Sequence, residues 1–311
     1  MLIILCGPTG TGKSEVAVEL AQLVDGEVVS ADSMMVYRGM DLGTAKPTLA
    51  QRGGVPHHLI DVAEPTEDYH VARYQREARR AIAEVLARGK TPMLVGGTGY
   101  YIRAVIDQVA FADTAPAALD LRAELTEQAR THGLESVHAR LAQLDPASAA
   151  RIHPNNLRRV VRALEIVLQT GAPVPPNRIP GDSGSRYTLR IFGLTCERTV
   201  LYRRLDQRID AMLAAGFVDE VRGLRTRGVG RHHTSQQALG YRQLHAMLDG
   251  ACDFAEAMRT WKRDTRHYAR RQWTWFRGEP RVEWLDVDAF ASRRALAETL
   301  ATRSRQVTAS D

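Results

Sequence analysis

The sequence predicts an α/β fold: a parallel sheet flanked by helices, with an all-helical domain inserted into it. Three observations carry this. The first hundred residues alternate short apolar runs with segments of helical spacing. From about Ala115 to Leu168 only helical patterns occur. Strand character then returns at Tyr187–Leu194. Alternating β and α units imply parallel strands with helices on both faces, and ligands in such sheets gather at the C-terminal strand ends. The expected division is residues 1–112 as the first part of the core, 113–187 as the helical insertion, 188–301 as core completion with basic helices, and 302–311 as a frayed tail.

The first strand is the apolar run Leu2-Ile3-Ile4-Leu5-Cys6. Gly7-Pro8-Thr9-Gly10-Thr11-Gly12-Lys13-Ser14 follows, a complete G-x-x-x-x-G-K-S loop, and Val16, Ala17, Leu20 and Ala21 recur at helical spacing after it. That context makes the core P-loop NTPase-like. Its glycines let the backbone wrap a polyphosphate, and its N–H groups and helix start supply partial positive charge. Lys13 would reach a terminal phosphate and the Ser14 hydroxyl a Mg²⁺ ion. ATP or another nucleotide is the default ligand; the alternative is a chance glycine-rich turn.

Glu27–Ser30 reads as a second strand and His58–Val62 as a short third one. Thr66 is expected to cap a helix running to about Arg88. Pro92–Val95 is a further strand, ending in Gly96-Gly97-Thr98-Gly99. In the insertion, Leu119–Arg130, Leu134–Leu144 and Asn156–Leu168 read as helices. Residues 171–185 hold four prolines and three glycines and read as a loop or hinge. After the strand near 188, more helices follow.

The 311 residues suit about two domains. No apolar run approaches the roughly eighteen residues of a membrane span, and the chain enters its first strand without a signal-like leader. Cys6, Cys196 and Cys252 are scattered without C-x-x-C spacing, which argues against a zinc site or disulfide framework and for a reducing cytoplasmic setting. The net charge of +6 hints at an anionic partner. Its distribution says more: seven arginines and one lysine lie between Arg259 and Arg281, against Asp264 and Glu279.

Asp32 directly follows the second strand. A carboxylate there can take a proton from a nucleophile attacking at the phosphorylated end of a ligand; the plainer reading is an Asx turn or helix cap. A usual P-loop NTPase ends another strand in an Mg²⁺-orienting Asp. Here that strand ends in Gly96-Gly97-Thr98, which argues against nucleotide hydrolysis. Those residues would bring backbone and a hydroxyl near the ligand, or merely form a tight turn. Arg158 and Arg162 share a helix face suited to phosphates, unless Arg162 simply pairs with Glu165. Arg204 and Arg208 sit four apart on a helix with an apolar stripe, and such an arginine can neutralise a leaving phosphate or lie on the surface. Arg259, Arg263, Arg266 and Arg270 line one face of a later helix, with Trp261, Tyr268 and Trp275 near the opposite face as buried anchors. That pattern predicts a positive ridge that tracks a phosphate backbone, rather than a merely soluble amphipathic helix.

The segments Gly7–Ser14, Ser30–Asp41, Gly43–Pro47, Gly96–Tyr101, Arg151–Asn155, Leu239–Arg242 and Arg271–Arg277 together resemble the tRNA dimethylallyltransferase family, in order, from Gly7 to Arg277. Departures are small: Gly10-Thr11 stands for the usual Ala-Ser, Asn156 for Asp, and Arg270-Arg271 for Lys-Arg. The resemblance implies transfer of a dimethylallyl group from its diphosphate to N6 of the adenosine 3′ of the anticodon. In that reading the loop grips a leaving group. Lys13, Arg208 and Mg²⁺ on Ser14 neutralise pyrophosphate. Asp32 is the base, and Thr9 and Thr98 line the channel. Asp32, Ser33, Met34, Met35, Arg158, Arg159, Val160, Val161, Arg162, Gln237, Gly240, Tyr241 and Arg242 match tRNA-contacting positions. The ridge with Arg263, Arg266, Arg270 and Arg271 joins the insertion in clamping the anticodon stem-loop. A flipped target base, a monomer and no membrane association are expected. The rival readings are a nucleoside or nucleotide kinase, an adenylate isopentenyltransferase, and a nucleotide-switched RNA-binding protein without covalent chemistry.

Overall fold

The computed structural model describes residues 1–107, 118–174 and 185–306. The chain divides into two compact units, residues 1–108 with 183–311, and residues 109–182.

In the first unit β1 (Leu2–Cys6) leads through the glycine loop to α1 (Lys13–Val24), then β2 (Gly26–Ser30), β3 (His57–His58), α2 (Val71–Ala87), β4 (Thr91–Val95) and α3 (Gly99–Ile106). In the second unit α4 (Leu119–His132), α5 (Leu134–Leu144), α6 (Pro146–Arg151) and α7 (Leu157–Thr170) surround their own apolar core, with Leu125, Val137, Leu141, Val160 and Leu164 at its centre. The first unit resumes with β5 (Leu189–Thr195), α8 (Arg198–Ala214), α9 (Phe217–Thr226), α10 (Tyr241–Leu248), α11 (Phe254–Arg277), β6 (Val282–Asp286) and α12 (Arg293–Arg305).

The six strands are all parallel, in the order β3-β2-β4-β1-β5-β6. This is the P-loop NTPase-like architecture. Every residue of β1 is buried because both sheet faces are covered. Leu2, Ile4 and Cys6 join the core on one face, with Tyr74, Ile102 and Tyr241; Ile3 and Leu5 join the other, with Val16, Leu20, Leu296 and Leu300. The strand order sets the position of the site. β4 pairs on one side with β2 and on the other with β1, so the turns leaving β2, β4 and β1 emerge side by side.

Several local expectations are corrected. Only His57–His58 is extended in the segment read as a strand over His58–Val62. Leu59 and Asp61 take φ of 61° and 59°, which a ladder cannot accommodate. The helix expected from Thr66 starts at Val71, capped by the His70 side chain, because residues 64–67 close a separate turn in which Glu67 N–H donates to Glu64 O. β6 was not foreseen. The start of the expected frayed tail is helical: α12 runs through Thr302 to Arg305 and buries Ser304, and residues 307–311 lie outside the described residues. Of the proline-rich stretch 171–185, residues 175–184 lie outside the described residues. Among the described residues no helix is long and apolar enough to cross a membrane.

Candidate active site

The loop after β1 depends on its first glycine. Gly7 has φ of +127°, and a Cβ there would lie 2.3 Å from the Leu194 carbonyl of β5. The loop closes on itself where the Thr11 hydroxyl and Lys13 Nζ both donate to Pro8 O, at 3.0 and 2.7 Å. Burial pushes Lys13 down to about 8, and the charge of Arg208 adds to that against the opposing influence of Cys6 and Asp32. Arg208 reaches over from α8, its Nη1 donating to Thr9 Oγ1 at 3.4 Å. Burial lowers its pKa too, with Asp32 and Glu15 pulling the other way. Three charges of α8 are neutralised: Arg204 pairs with Asp288, Asp206 with Arg266, and Asp210 with Lys262. Lys13 and Arg208, in contrast, make no ion pair among the described residues. Two desolvated cations side by side at a helix start form a seat for an anion.

Asp32 faces them from the turn after β2. Its Oδ1 accepts the N–H groups of Met34 and Met35 at 2.8 and 3.3 Å, so the Asx turn is real; Oδ2 takes no part in it. The turn after β4 packs directly on this segment. Thr98 Oγ1 accepts the Ser33 N–H at 3.2 Å, and a Cβ on Gly96 would lie 2.2 Å from Ala31 O. Tyr268 of α11 completes this side. Burial and the charge of Asp32 raise its pKa, while Thr98 and Gln272 hydrogen-bond to it. The three turns, with α8 and α11, thus bring a carboxylate and two hydroxyls together with two cations. This suits a reaction that loses a proton on one side and an anionic leaving group on the other.

The residues expected at an RNA surface divide sharply. Ser33, Met34 and Met35 are half-buried beside Asp32, and Gln237 and Arg242 are exposed. Arg158 and Arg159 are exposed on α7. Val160 and Val161 point into the core of the helical unit, which leaves their side chains no surface for RNA. Arg162 pairs with the buried Glu165, to which Arg122 also donates. Tyr241 is fully buried, its hydroxyl donating to Glu220. Gly240, at φ of +89°, lets Phe217 and Trp261 pack where a Cβ would lie 2.7 Å from each.

The basic face of α11 is also more neutral than its spacing suggested. Arg259 pairs with Glu256, Arg263 with Asp264, and Arg266 with Asp206. Arg270 and Arg271 are exposed and make no ion pair among the described residues. Of the three expected aromatic anchors, Trp261 is buried and Tyr268 half-buried. Trp275 is 41% exposed, although Gly99 stands against its ring and Arg103 lies over it at 5.8 Å.

Two residues at the site escaped the sequence reading as candidates. Gln272 of α11 is buried and joins the glycine loop to the turn after β4. Glu220 of α9 accepts the N–H groups of Asp41 and Leu42 at 3.0 and 2.7 Å as well as the Tyr241 hydroxyl, holding the segment that follows Asp32. The available signal for Gln272 was its place on the buried face of α11, in line with Trp261, Thr265, Ala269 and Phe276.

Comparison with known proteins gives the family. The IPP transferase family matches residues 35–279, and the isopentenyl transferase family matches residues 1–63. The tRNA dimethylallyltransferase of Symbiobacterium thermophilum is 48% identical over 305 residues, covering 98% of this chain and 95% of that protein. That of Acidothermus cellulolyticus is 49% identical over 300 residues, covering 96% and 93%. The crystal structure of the full-length tRNA isopentenylpyrophosphate transferase from Bacillus halodurans superposes with a TM-score of 0.72 at 44% identity, covering 97% of this chain and 96% of that one. A eukaryotic dimethylallyltransferase captured acting on tRNA gives 0.80 at 28% identity, covering 98% and 80%. From the glycine loop to the end of α11, in sequence and in fold, this chain belongs to the IPP transferase family.

Proposed function

We propose that the chain is a tRNA dimethylallyltransferase, moving a dimethylallyl group from dimethylallyl diphosphate to N6 of the adenosine 3′ of the anticodon. The observation that carries this reading is the pair of desolvated cations, Lys13 and Arg208, without an ion-pair partner among the described residues, whose charges act on the same site as Asp32, with its Oδ2 outside the Asx turn. As the allylic C–O bond breaks, Lys13 and Arg208 take up the negative charge that gathers on pyrophosphate. The allylic carbon gains cation character, N6 forms the C–N bond, and the N6 proton passes to Asp32 Oδ2. Thr98 steadies the turn that aims Asp32. The adenine has to leave its stack to enter, so the base arrives flipped.

The donor set suits Mg²⁺. Ser14 offers an exposed hydroxyl at the start of α1, and no cluster of three acidic, histidine or cysteine side chains competes for a cation among the described residues. Mg²⁺ takes few protein ligands and completes its shell with phosphate oxygens and water. When bound it would supply further neutralisation of the diphosphate. A kinase reading is disfavoured because the turn after β4 carries Gly96-Gly97-Thr98 and no carboxylate. We place the enzyme in the cytoplasm as a monomer.

Labelled dimethylallyl diphosphate, offered with unmodified tRNA, with free AMP or with no acceptor, tests the proposal. Label is expected in tRNA alone. Label in AMP would favour an adenylate isopentenyltransferase, and no label in either acceptor would remove prenyl transfer. RNA contact has its own test. Affinity for tRNA should fall with salt, and replacing Arg270 or Arg271 with alanine should flatten the log–log slope by about one unit each. Arg263→Ala and Arg266→Ala should flatten it less, because Asp264 and Asp206 already neutralise those charges. Equal slopes in all four variants would remove the exposed arginines as the phosphate contacts.

A further inference from the structure

A chain of contacts runs from the leaving-group side of the site to the base side, and it passes through one amide. Arg208 donates to the Thr9 hydroxyl. The Thr9 N–H donates to Gln272 Oε1 at 2.9 Å. Gln272 Nε2 donates to Gly97 O, also at 2.9 Å. The next residue, Thr98, accepts the Ser33 N–H adjoining Asp32. Gln272 is 6% exposed, and a Cβ on Gly97 would lie 2.2 Å from its Nε2, so the glycine leaves room for the amide and nothing larger. One turn earlier Tyr268 meets both Gln272 and Thr98. Thr9 and Gly97 sit on loops from adjacent strands, β1 and β4, which no other side chain joins by hydrogen bonds among the described residues.

We propose that Gln272 is a positioning residue for prenyl transfer. Its amide fixes the spacing between the loop that grips the diphosphate and the turn that aims Asp32, so that donor carbon and acceptor nitrogen meet in line. The inference rests on the prenyl-transfer reading above. It explains why a polar residue occupies the buried face of α11. Both amide groups are used in opposite senses, one accepting and one donating, and among uncharged side chains of this length only an amide does both. The effect is on the reaction rather than on RNA binding, because Gln272 is buried and offers no surface to tRNA. A displacement of about 1 Å between reacting groups costs on the order of 10²-fold in rate.

The test uses the full chain with labelled dimethylallyl diphosphate and unmodified tRNA. Gln272→Met keeps the volume and removes both hydrogen bonds. Its kcat is expected to fall on the order of 10²-fold, with the Kd for tRNA within about threefold and a folded, cooperative melt. Gln272→Glu supplies a second readout. Its carboxylate can accept from Thr9 but cannot donate to Gly97 O; once protonated, it can do both. Its activity relative to wild type is therefore expected to climb as pH falls from about 8.5 to 5.5. The charged and titratable groups of the site are Cys6 of β1, Lys13 and Glu15 at the start of α1, Arg208 of α8, Asp32 after β2, Tyr268 and Arg271 of α11, and Glu279 after it. All are retained in the variant, so the ratio at each pH isolates position 272. A folded Gln272→Met enzyme with kcat near wild type would overturn the proposal, as would a ratio for Gln272→Glu that is flat with pH. Failure of the wild-type chain to prenylate tRNA would instead strike the proposed function itself.

Discussion

Asp32→Asn is expected to lower the rate of prenyl transfer by about 10²–10⁴-fold, the usual contribution of a positioned general base. Asparagine is the informative replacement because it separates the two things Asp32 does. The amide oxygen can still accept the N–H groups of Met34 and Met35, which preserves the turn after β2. What is lost is the basic Oδ2 edge that takes the N6 proton. Binding of tRNA should stay within about threefold of wild type, since neutralising a single site group removes no phosphate contact. Single-turnover transfer at saturating donor is the measurement. A rate within tenfold of wild type would eliminate Asp32 as the base and leave it with the turn alone.

Removing Lys13 or Arg208 should cost about 10²–10³-fold in kcat each, the loss expected when one preorganised charge is withdrawn from a developing anion. The double variant should lose less than the product of the two, because both cations serve one leaving group. Lys13 adds a pH signature. Burial brings it to about 8, so it is charged below that pH and loses its proton as pH rises through it. Affinity for inorganic pyrophosphate should accordingly weaken above about pH 8, with proton uptake on binding there, because a bound anion favours the charged lysine. Calorimetric titration in buffers of different ionisation enthalpy checks this. A pH-independent affinity in wild type, or a break near 8 that persists in Lys13→Ala, would mean that the lysine does not hold the diphosphate.

What the sequence revealed follows from how local each signal was. β1, the glycine loop and α1 form one contiguous unit, and their pattern was unambiguous. Asp32 and Thr98 stood out as the first polar groups after strands. β6 was missed because Val282-Glu283-Trp284-Leu285-Asp286 is an edge strand that buries only Leu285 fully, so its apolar signal is thin. Residues 58–62 looked extended from their apolar content, but the positive φ of Leu59 and Asp61 is a tertiary outcome that composition does not announce. The basic residues of α11 were visible, while the α8 partners of Lys262 and Arg266, which are Asp210 and Asp206, were 52 and 60 residues away in sequence. Gln272 is the extreme case: its bond to Thr9 spans 263 residues. Function was legible chiefly because seven short segments, each weak alone, occurred in one order.

The strand order has one further consequence. The base-bearing turn follows β2 and the anion-binding loop follows β1, with β4 between them. Two interstrand spacings of roughly 4.8 Å separate those strands, so the two strands that lead into the base-bearing turn and the anion-binding loop run about 10 Å apart. That coarse gauge is made of main-chain hydrogen bonds, and side chains such as Gln272 adjust only the alignment of the loops within it. Evolution can therefore retune which acceptor enters, or how tightly the donor is held, by changing the loops. The separation of the two strands stays constant wherever this sheet is kept.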